Sequence, residues 1–128
     1  MTYHLSKKVL YGFEEALSKV AEEIKKEGFG IITEIDMQET LKKKLNVDWR
    51  KYKILGVCNP KFAYQALQLE DKIGTMLPCN IVVQEHANGS VEVSAINPVV
   101  SMKAIGNNEL HKLASEVQIA LKKVIDSL

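Results

Sequence analysis

Two segments of this chain, one near each end, carry apolar residues at helical spacing along a single face. The first, at residues 13–28, has these apolar positions: Phe13, Leu17, Val20, Ala21 and Ile24. The second has Leu110, Leu113, Ala114, Val117, Leu121, Val124 and Leu128. A helix with one apolar face has to bury that face, and the chain between these helices is rich in strand patterns. We therefore expect both helices to lie across one face of a sheet.

The strands of that sheet are predicted from alternating apolar residues and from one hairpin signal. Asn88-Gly89 tolerates positive φ and separates two alternating runs, which predicts an antiparallel pair. Further strands are expected at residues 2–9, 29–35 and 52–58, with Phe29, Ile31, Thr33 and Ile35 on one side of the second. Asp36 and Asn59 are expected to begin helices, and Asn107 and Asn108 are the cap candidates of the last helix. The predicted fold class is α+β, with a curved, mostly antiparallel sheet, two long helices on one face and extra short helices.

Composition and charge exclude several kinds of protein. At 128 residues, 46% of them hydrophobic and 26% charged, the chain fits one globular domain over residues 1–128. A formal charge of +1 lacks the basic excess of a nucleic-acid-binding module, so a nucleic-acid partner is not expected. The chain also lacks an apolar run long enough to cross a membrane and a secretory signal pattern. We therefore expect a cytoplasmic protein with no membrane partner.

Two matching corners hold the two cysteines of the chain. Gly56-Val57-Cys58-Asn59-Pro60 and Leu77-Pro78-Cys79-Asn80 each place a Cys-Asn step at the boundary of an apolar strand. If the corners lie close together, they bring two thiols and two amides to one place. The predicted ligand-binding residues are Cys58, Asn59, Pro60, Pro78, Cys79, Asn80 and Glu85. No catalytic or metal-binding residue and no cofactor is assigned.

The same residues have other interpretations. Both cysteines can be small buried apolar residues, and Asn59 can simply cap a helix. Alternatively, the thiolate of Cys58 is favoured by the helix that begins at Asn59-Pro60, and Cys79 resolves it. A metal would most coherently use Cys58, Cys79 and Glu85. Glu85 otherwise marks the exposed end of its strand.

An ordered set of short motifs resembles one protein family. The motifs are Glu27-Gly28-Phe29-Gly30, Thr33-Glu34-Ile35-Asp36, Ile54-Leu55-Gly56-Val57-Cys58-Asn59-Pro60, Ala63 with Ala66-Leu67, and Gly74 with Leu77-Pro78-Cys79-Asn80. Together they resemble the microbial family called domain of unknown function 302 over nearly the whole chain. The resemblance implies a β-α-β4-α core similar to one half of the TATA-box-binding protein fold, commonly paired as a homodimer. It carries no established activity and no residue with a proven role.

Three functional hypotheses follow. The leading one is a homodimeric small-molecule-binding module with its site at the Cys58 and Cys79 corners. The second is a thiol-dependent redox or sulfur-handling enzyme with Cys58 as nucleophile, and the third is a purely structural or assembly domain. Trp49 and Tyr52, and separately Met102 with Ile105, are the candidate subunit contacts. The apolar stretch at residues 99–106 is expected to be covered.

Overall fold

The computed structural model describes residues 2–128 and contains one five-stranded sheet and five helices in that range. The strands are β1 (His4–Val9), β2 (Gly30–Asp36), β3 (Tyr52–Cys58), β4 (Cys79–Glu85) and β5 (Val91–Ile96). The helices are α1 (Phe13–Lys26), α2 (Met37–Leu45), α3 (Pro60–Leu69), α4 (Pro98–Ser101) and α5 (Asn108–Asp126), with a 3-10 turn at Ile73–Met76. No helix in this range is both long and apolar enough to cross a membrane.

The sheet has the order β1-β5-β4-β3-β2, and every neighbouring pair is antiparallel. The predicted hairpin joins β4 to β5, with the amide of His86 donating to the carbonyl of Ser90. Of the Asn-Gly pair, only Gly89 adopts positive φ, at 87°. The loop is therefore a three-residue turn closed by a left-handed glycine, the next most common hairpin after the two-residue type.

Both long helices pack on the same face of the sheet, as their single apolar faces require. The buried residues of α1 are Phe13, Ala16, Val20 and Ile24, and those of α5 include Val117, Leu121, Val124 and Ile125. These side chains form one core with alternate residues of β3, β4 and β5, including Leu55, Ile81 and Val93. The predicted α+β class, with a mostly antiparallel sheet and extra short helices, is confirmed.

The expectation that Ile31 and Thr33 lie on one face of the sheet was wrong, because β2 contains a β-bulge. Ile31 pairs with Val57, whereas Thr33 pairs with the adjacent Gly56. Neighbouring residues on a strand face opposite sides, so Ile31 and Thr33 lie on opposite faces of the sheet. Ile32 is the extra residue at this irregularity.

A second apolar cluster, separate from the main core, covers only part of the stretch at residues 99–106, because Lys103, Ala104 and Gly106 are exposed. Met102 is buried there with Ile73, Leu110 and Ala66, and Ile105 packs against them. Met102 and Ile105 thus make contacts within their own chain, which weighs against their use as a subunit contact. Phe62 of α3 packs against both clusters and so joins them.

Candidate functional site

A cavity of about 280 Å³ lies where the two apolar clusters meet. Phe29, Val57 and Val117 come from the main core, and Ala66, Leu110 and Leu113 from the second cluster. Since most of its lining residues are apolar, the cavity excludes charged ligands and offers little hydrogen bonding. Its lining therefore suits shape-matched apolar contact.

The structure brings four of the seven predicted site residues to this cavity. Cys58, Asn59, Pro78 and Cys79 all line it. The register explains why, since Val57 pairs with Cys79 and the two corners therefore lie side by side at one end of β3 and β4. The two distant cysteine corners of the sequence thus form one wall.

Close packing between the corners depends on Gly56. A Cβ at this position would overlap the hydroxyl of Thr33 and lie 2.7 Å from Cγ of Pro78. Only glycine therefore lets β2 and the Leu77-Pro78 corner, whose peptide bond is cis, approach β3 this closely. Gly56, which belongs to the first cysteine corner, thus helps to set the position of the second corner.

Asn59 holds the cavity wall in place. Its side-chain oxygen accepts hydrogen bonds from the amides of Lys61 (3.1 Å) and Phe62 (3.3 Å), which caps α3. Its side-chain nitrogen donates to the carbonyl of Glu27 at 3.1 Å. The predicted capping role is confirmed, and the same side chain also ties the start of α3 to the residue that ends α1.

The two cysteines are free thiols with different surroundings. Cys58 is half-buried, whereas Cys79 is buried, with 9% of its surface exposed. Burial, and secondarily the charge of Cys58, raises the pKa of the Cys79 thiol to about 11. Cys79 is therefore a neutral thiol at physiological pH and a poor nucleophile.

The other three predicted residues lie away from the cavity. Pro60 is exposed in the first turn of α3. Asn80 follows Cys79 on β4, pairs with Gly56 and faces the opposite side of the sheet. Glu85 ends β4, six residues from Cys79 and hence roughly 20 Å along the strand.

This placement also corrects the metal alternative. Cys58, Cys79 and Glu85 do not come together, because Glu85 lies at the far end of its strand. Within the described residues 2–128, no three histidine, cysteine, aspartate or glutamate side chains form a group that could hold a metal ion.

Sequence reasoning missed much of the lining. The missed residues include Phe29, Phe62, Ala66, Met102, Leu110 and Leu113. One available signal was Asn97-Pro98, which begins α4 through a cap to Val99, just as Asn59-Pro60 begins α3. That signal predicts an ordered turn that carries Met102 inward. The side chains from α5 could not be found from periodicity, because cavity and core positions share one apolar face.

Comparisons with known proteins give a consistent result. The family model described as "Domain of unknown function DUF302" matches residues 5–128. Among solved structures, the chain is similar to the crystal structure of an uncharacterized conserved protein DUF302 from Bacillus stearothermophilus, at 28% identity and a TM-score of 0.92. The similarity covers 98% of each chain. A comparison with curated proteins found no match. The family suggested by the sequence motifs is confirmed, and the chain belongs to the DUF302 family.

Proposed function

We propose that this protein is a binding module for a compact, apolar small molecule held in the cavity at the cysteine corners. One observation carries the proposal: a cavity of about 280 Å³ with an apolar lining joins the two hydrophobic clusters. An apolar cavity of about 150 Å³ is enough to hold benzene. A molecule of one or two rings therefore has a suitable size.

A ligand in this cavity would stabilise the folded protein, because the cavity lies between the two apolar clusters. It would contact Val57 and Cys79 of the main core and Met102 and Leu110 of the second cluster at the same time. Binding would thus bury apolar surface from both clusters and hold α3 and α4 against the sheet. A ligand that binds only the folded state raises stability in proportion to the logarithm of its concentration over Kd.

The thiol-dependent alternative receives less support. Cys79 was the expected resolving thiol, yet the burial that raises its pKa opposes formation of the attacking or leaving thiolate. Cys58 lines the cavity and is half-buried, so its sulfur is placed to contact a bound ligand. We therefore assign Cys58 to the wall of a binding site. Two free thiols suit a reducing compartment, so we propose a cytoplasmic location.

The proposal is tested with indole and p-xylene as probes. At ten times Kd, either compound is expected to raise Tm by about 3 to 6 °C. Nuclear magnetic resonance should show the largest methyl shifts at Met102, Leu110 and Ala66, which line the cavity. Binding that shifts only residues elsewhere would contradict the site, and no binding of any compact apolar compound would leave the structural-domain hypothesis ahead.

A matched pair of variants locates the effect. Ala63→Leu places a larger side chain on a residue of α3 that lines the cavity, and Gln68→Leu adds the same side chain at an exposed position of the same helix. We expect the first variant to lose the Tm rise and the second to keep it. Equal responses of the two folded variants would contradict the proposal.

We further propose that the protein forms a homodimer through the free edge of β2. Ile31, Ile32 and Ile35 are exposed on this strand, with 39%, 60% and 46% of their surfaces accessible. An exposed apolar edge strand presents unpaired backbone groups that readily pair with a second chain. The other edge, β1, carries Lys7 and Lys8, charged residues of the kind that protect an edge from such pairing. The charged residues of β2 are engaged within the chain, Glu34 with Lys53 and Asp36 as the cap of α2.

A further inference from the structure

A second cavity, of about 290 Å³, lies on the opposite face of the sheet from the helices. Its position follows from the register: Ser6 pairs with Ser94, Ser94 with Val82, and these residues alternate with the buried ones. It shares no lining residue with the apolar cavity. Its lining is also different in chemistry, because hydroxyl, amide and aromatic side chains converge there.

Three side chains of this cavity form a short hydrogen-bond chain. The hydroxyl of Ser6 donates to Oγ of Ser94 at 2.7 Å, and Oγ of Ser6 lies 2.6 Å from Nδ1 of His4. A serine hydroxyl has a single hydrogen, so in this arrangement Oγ of Ser6 accepts from the tautomer of His4 that carries its hydrogen on Nδ1. With that tautomer, the hydrogen of Ser94 is free to donate to an acceptor in the cavity.

The side-chain amide of Gln84 is the second donor of this cavity, and Arg50 orients it. Both Nε and Nη2 of Arg50 donate to Oε1 of Gln84, at 3.2 and 3.1 Å. Arginine can only donate, so this pair fixes the amide oxygen of Gln84 toward Arg50. Within residues 2–128, the Nε2 amide group of Gln84 has no hydrogen-bond partner, and Gln84 lines the cavity. Arg50 is itself held over the rings of Trp49 and Tyr52, at 4.2 and 5.9 Å from the centroids.

The remaining lining favours a flat molecule. Val82 and Ile96 offer half-buried apolar surface, and the ring of Tyr52 adds an aromatic surface beside Gln84, its partner across the sheet. Rings commonly bind between such surfaces. Glu92 also lines the cavity, and it accepts from Nε2 of His86 at 2.9 Å. Its carboxylate disfavours an anionic ligand, because like charges repel. The nearby guanidinium of Arg50 is directed to the amide oxygen of Gln84 and to the rings of Trp49 and Tyr52.

We propose that this cavity binds a small, flat, uncharged molecule through a carbonyl oxygen, which accepts from Ser94 and Gln84. An aromatic amide has this chemistry. The proposal concerns a site independent of the apolar cavity, so failure of one proposal leaves the other unaffected.

The test is a nuclear magnetic resonance titration with benzamide, benzoate and benzyl alcohol. Benzamide is expected to shift the side-chain amide of Gln84 and the methyl groups of Val82 and Ile96. Benzoate should bind more weakly because of Glu92, and benzyl alcohol should bind more weakly because it has no carbonyl oxygen. Equal binding of all three compounds, or shifts confined to other residues, would overturn the proposal.

Variants separate the hydrogen bonds from the shape of the cavity. Ser94→Ala removes one donor and should weaken benzamide binding about tenfold, and Gln84→Glu removes the second donor with a similar loss. Ser115→Ala, an exposed serine on α5, is the matched control and should bind as the unaltered protein does. Unchanged affinity in both cavity variants would overturn the assignment. If the resonances of these residues shift when only the protein concentration changes, a second copy covers this face. That result would also overturn the proposal of a ligand site.

Discussion

At the scale of single residues, burial gives the two cysteines different properties. They lie at neighbouring strand ends and line the same cavity, yet Cys79 is buried and Cys58 only half-buried. The neutral form of Cys79 suits its apolar surroundings, because a thiolate there would lose its hydration. A thiol in such surroundings contributes to packing. It is a poor redox group at neutral pH, because the reactive form is the thiolate.

A pH dependence of stability follows for Cys79. Its pKa is about 11 in the folded protein and near 9 in the unfolded chain. Because the folded pKa is raised, the contribution to stability is complete below pH 9 and is lost as the pH rises toward 11. The loss is up to about 3 kcal/mol. Urea unfolding from pH 8 to 11 should show this fall in the unaltered protein and a flatter profile in Cys79→Ala. Parallel profiles of the two proteins would contradict the prediction.

At the scale of elements, α3 forms one wall of the apolar cavity and depends on a single capping side chain. Asn59 bonds to Lys61 and Phe62 within α3 and to Glu27 at the end of α1. The cap therefore sets both the start of α3 and its distance from α1. Phe62, Ala63 and Ala66 reach the cavity from this helix.

Replacing Asn59 should separate these two roles. Asn59→Ala is expected to cost about 2 kcal/mol, roughly half from the lost cap and half from the lost bond to Glu27. Asn59→Asp keeps a capping oxygen and loses the donor, so it should cost about half as much. Urea unfolding measures both values, and hydrogen exchange should show faster opening of α3 than of α1 in the alanine variant. An aspartate variant as unstable as the alanine variant would contradict this equal division between the cap and the bond to Glu27.

Local signals in the sequence predicted the elements better than their mutual arrangement. The caps at Asp36, Asn59 and Asn107 were found because each depends on residues two or three positions away. The bulge at Ile32 was not found, because a one-residue shift in pairing arises between strands and leaves the alternation of side chains ambiguous. The proximity of the two corners was only a condition of the sequence hypothesis, and the register of β3 and β4 meets it. The helix residues that complete the cavity follow only from tertiary packing.

At the scale of the whole molecule, the two edges of the sheet differ in a way that favours pairing through β2. In an isologous dimer, the β2 strands of two copies would run antiparallel and join two five-stranded sheets into one. The exposed isoleucines of β2 would then lie beside those of the partner on each face. The bulge at Ile32 limits the regular pairing, so the Glu34–Asp36 half of the strand is the more regular part of the edge.

The dimer is tested by placing a charge on that half of the strand. Ile35→Lys would put lysines close to each other across the two-fold axis, where like charges oppose pairing, and it should weaken dimerisation at least tenfold. Ile119→Lys makes the same change at a 60% exposed isoleucine of α5, a helix that packs against β1 and β5 at the other side of the sheet from β2, so it should leave dimerisation unchanged. Analytical ultracentrifugation measures the dissociation constant, and hydrogen exchange of the β2 amides should slow as protein concentration rises. A monomer at all concentrations, or equal weakening by both lysines, would show that this edge does not join the subunits.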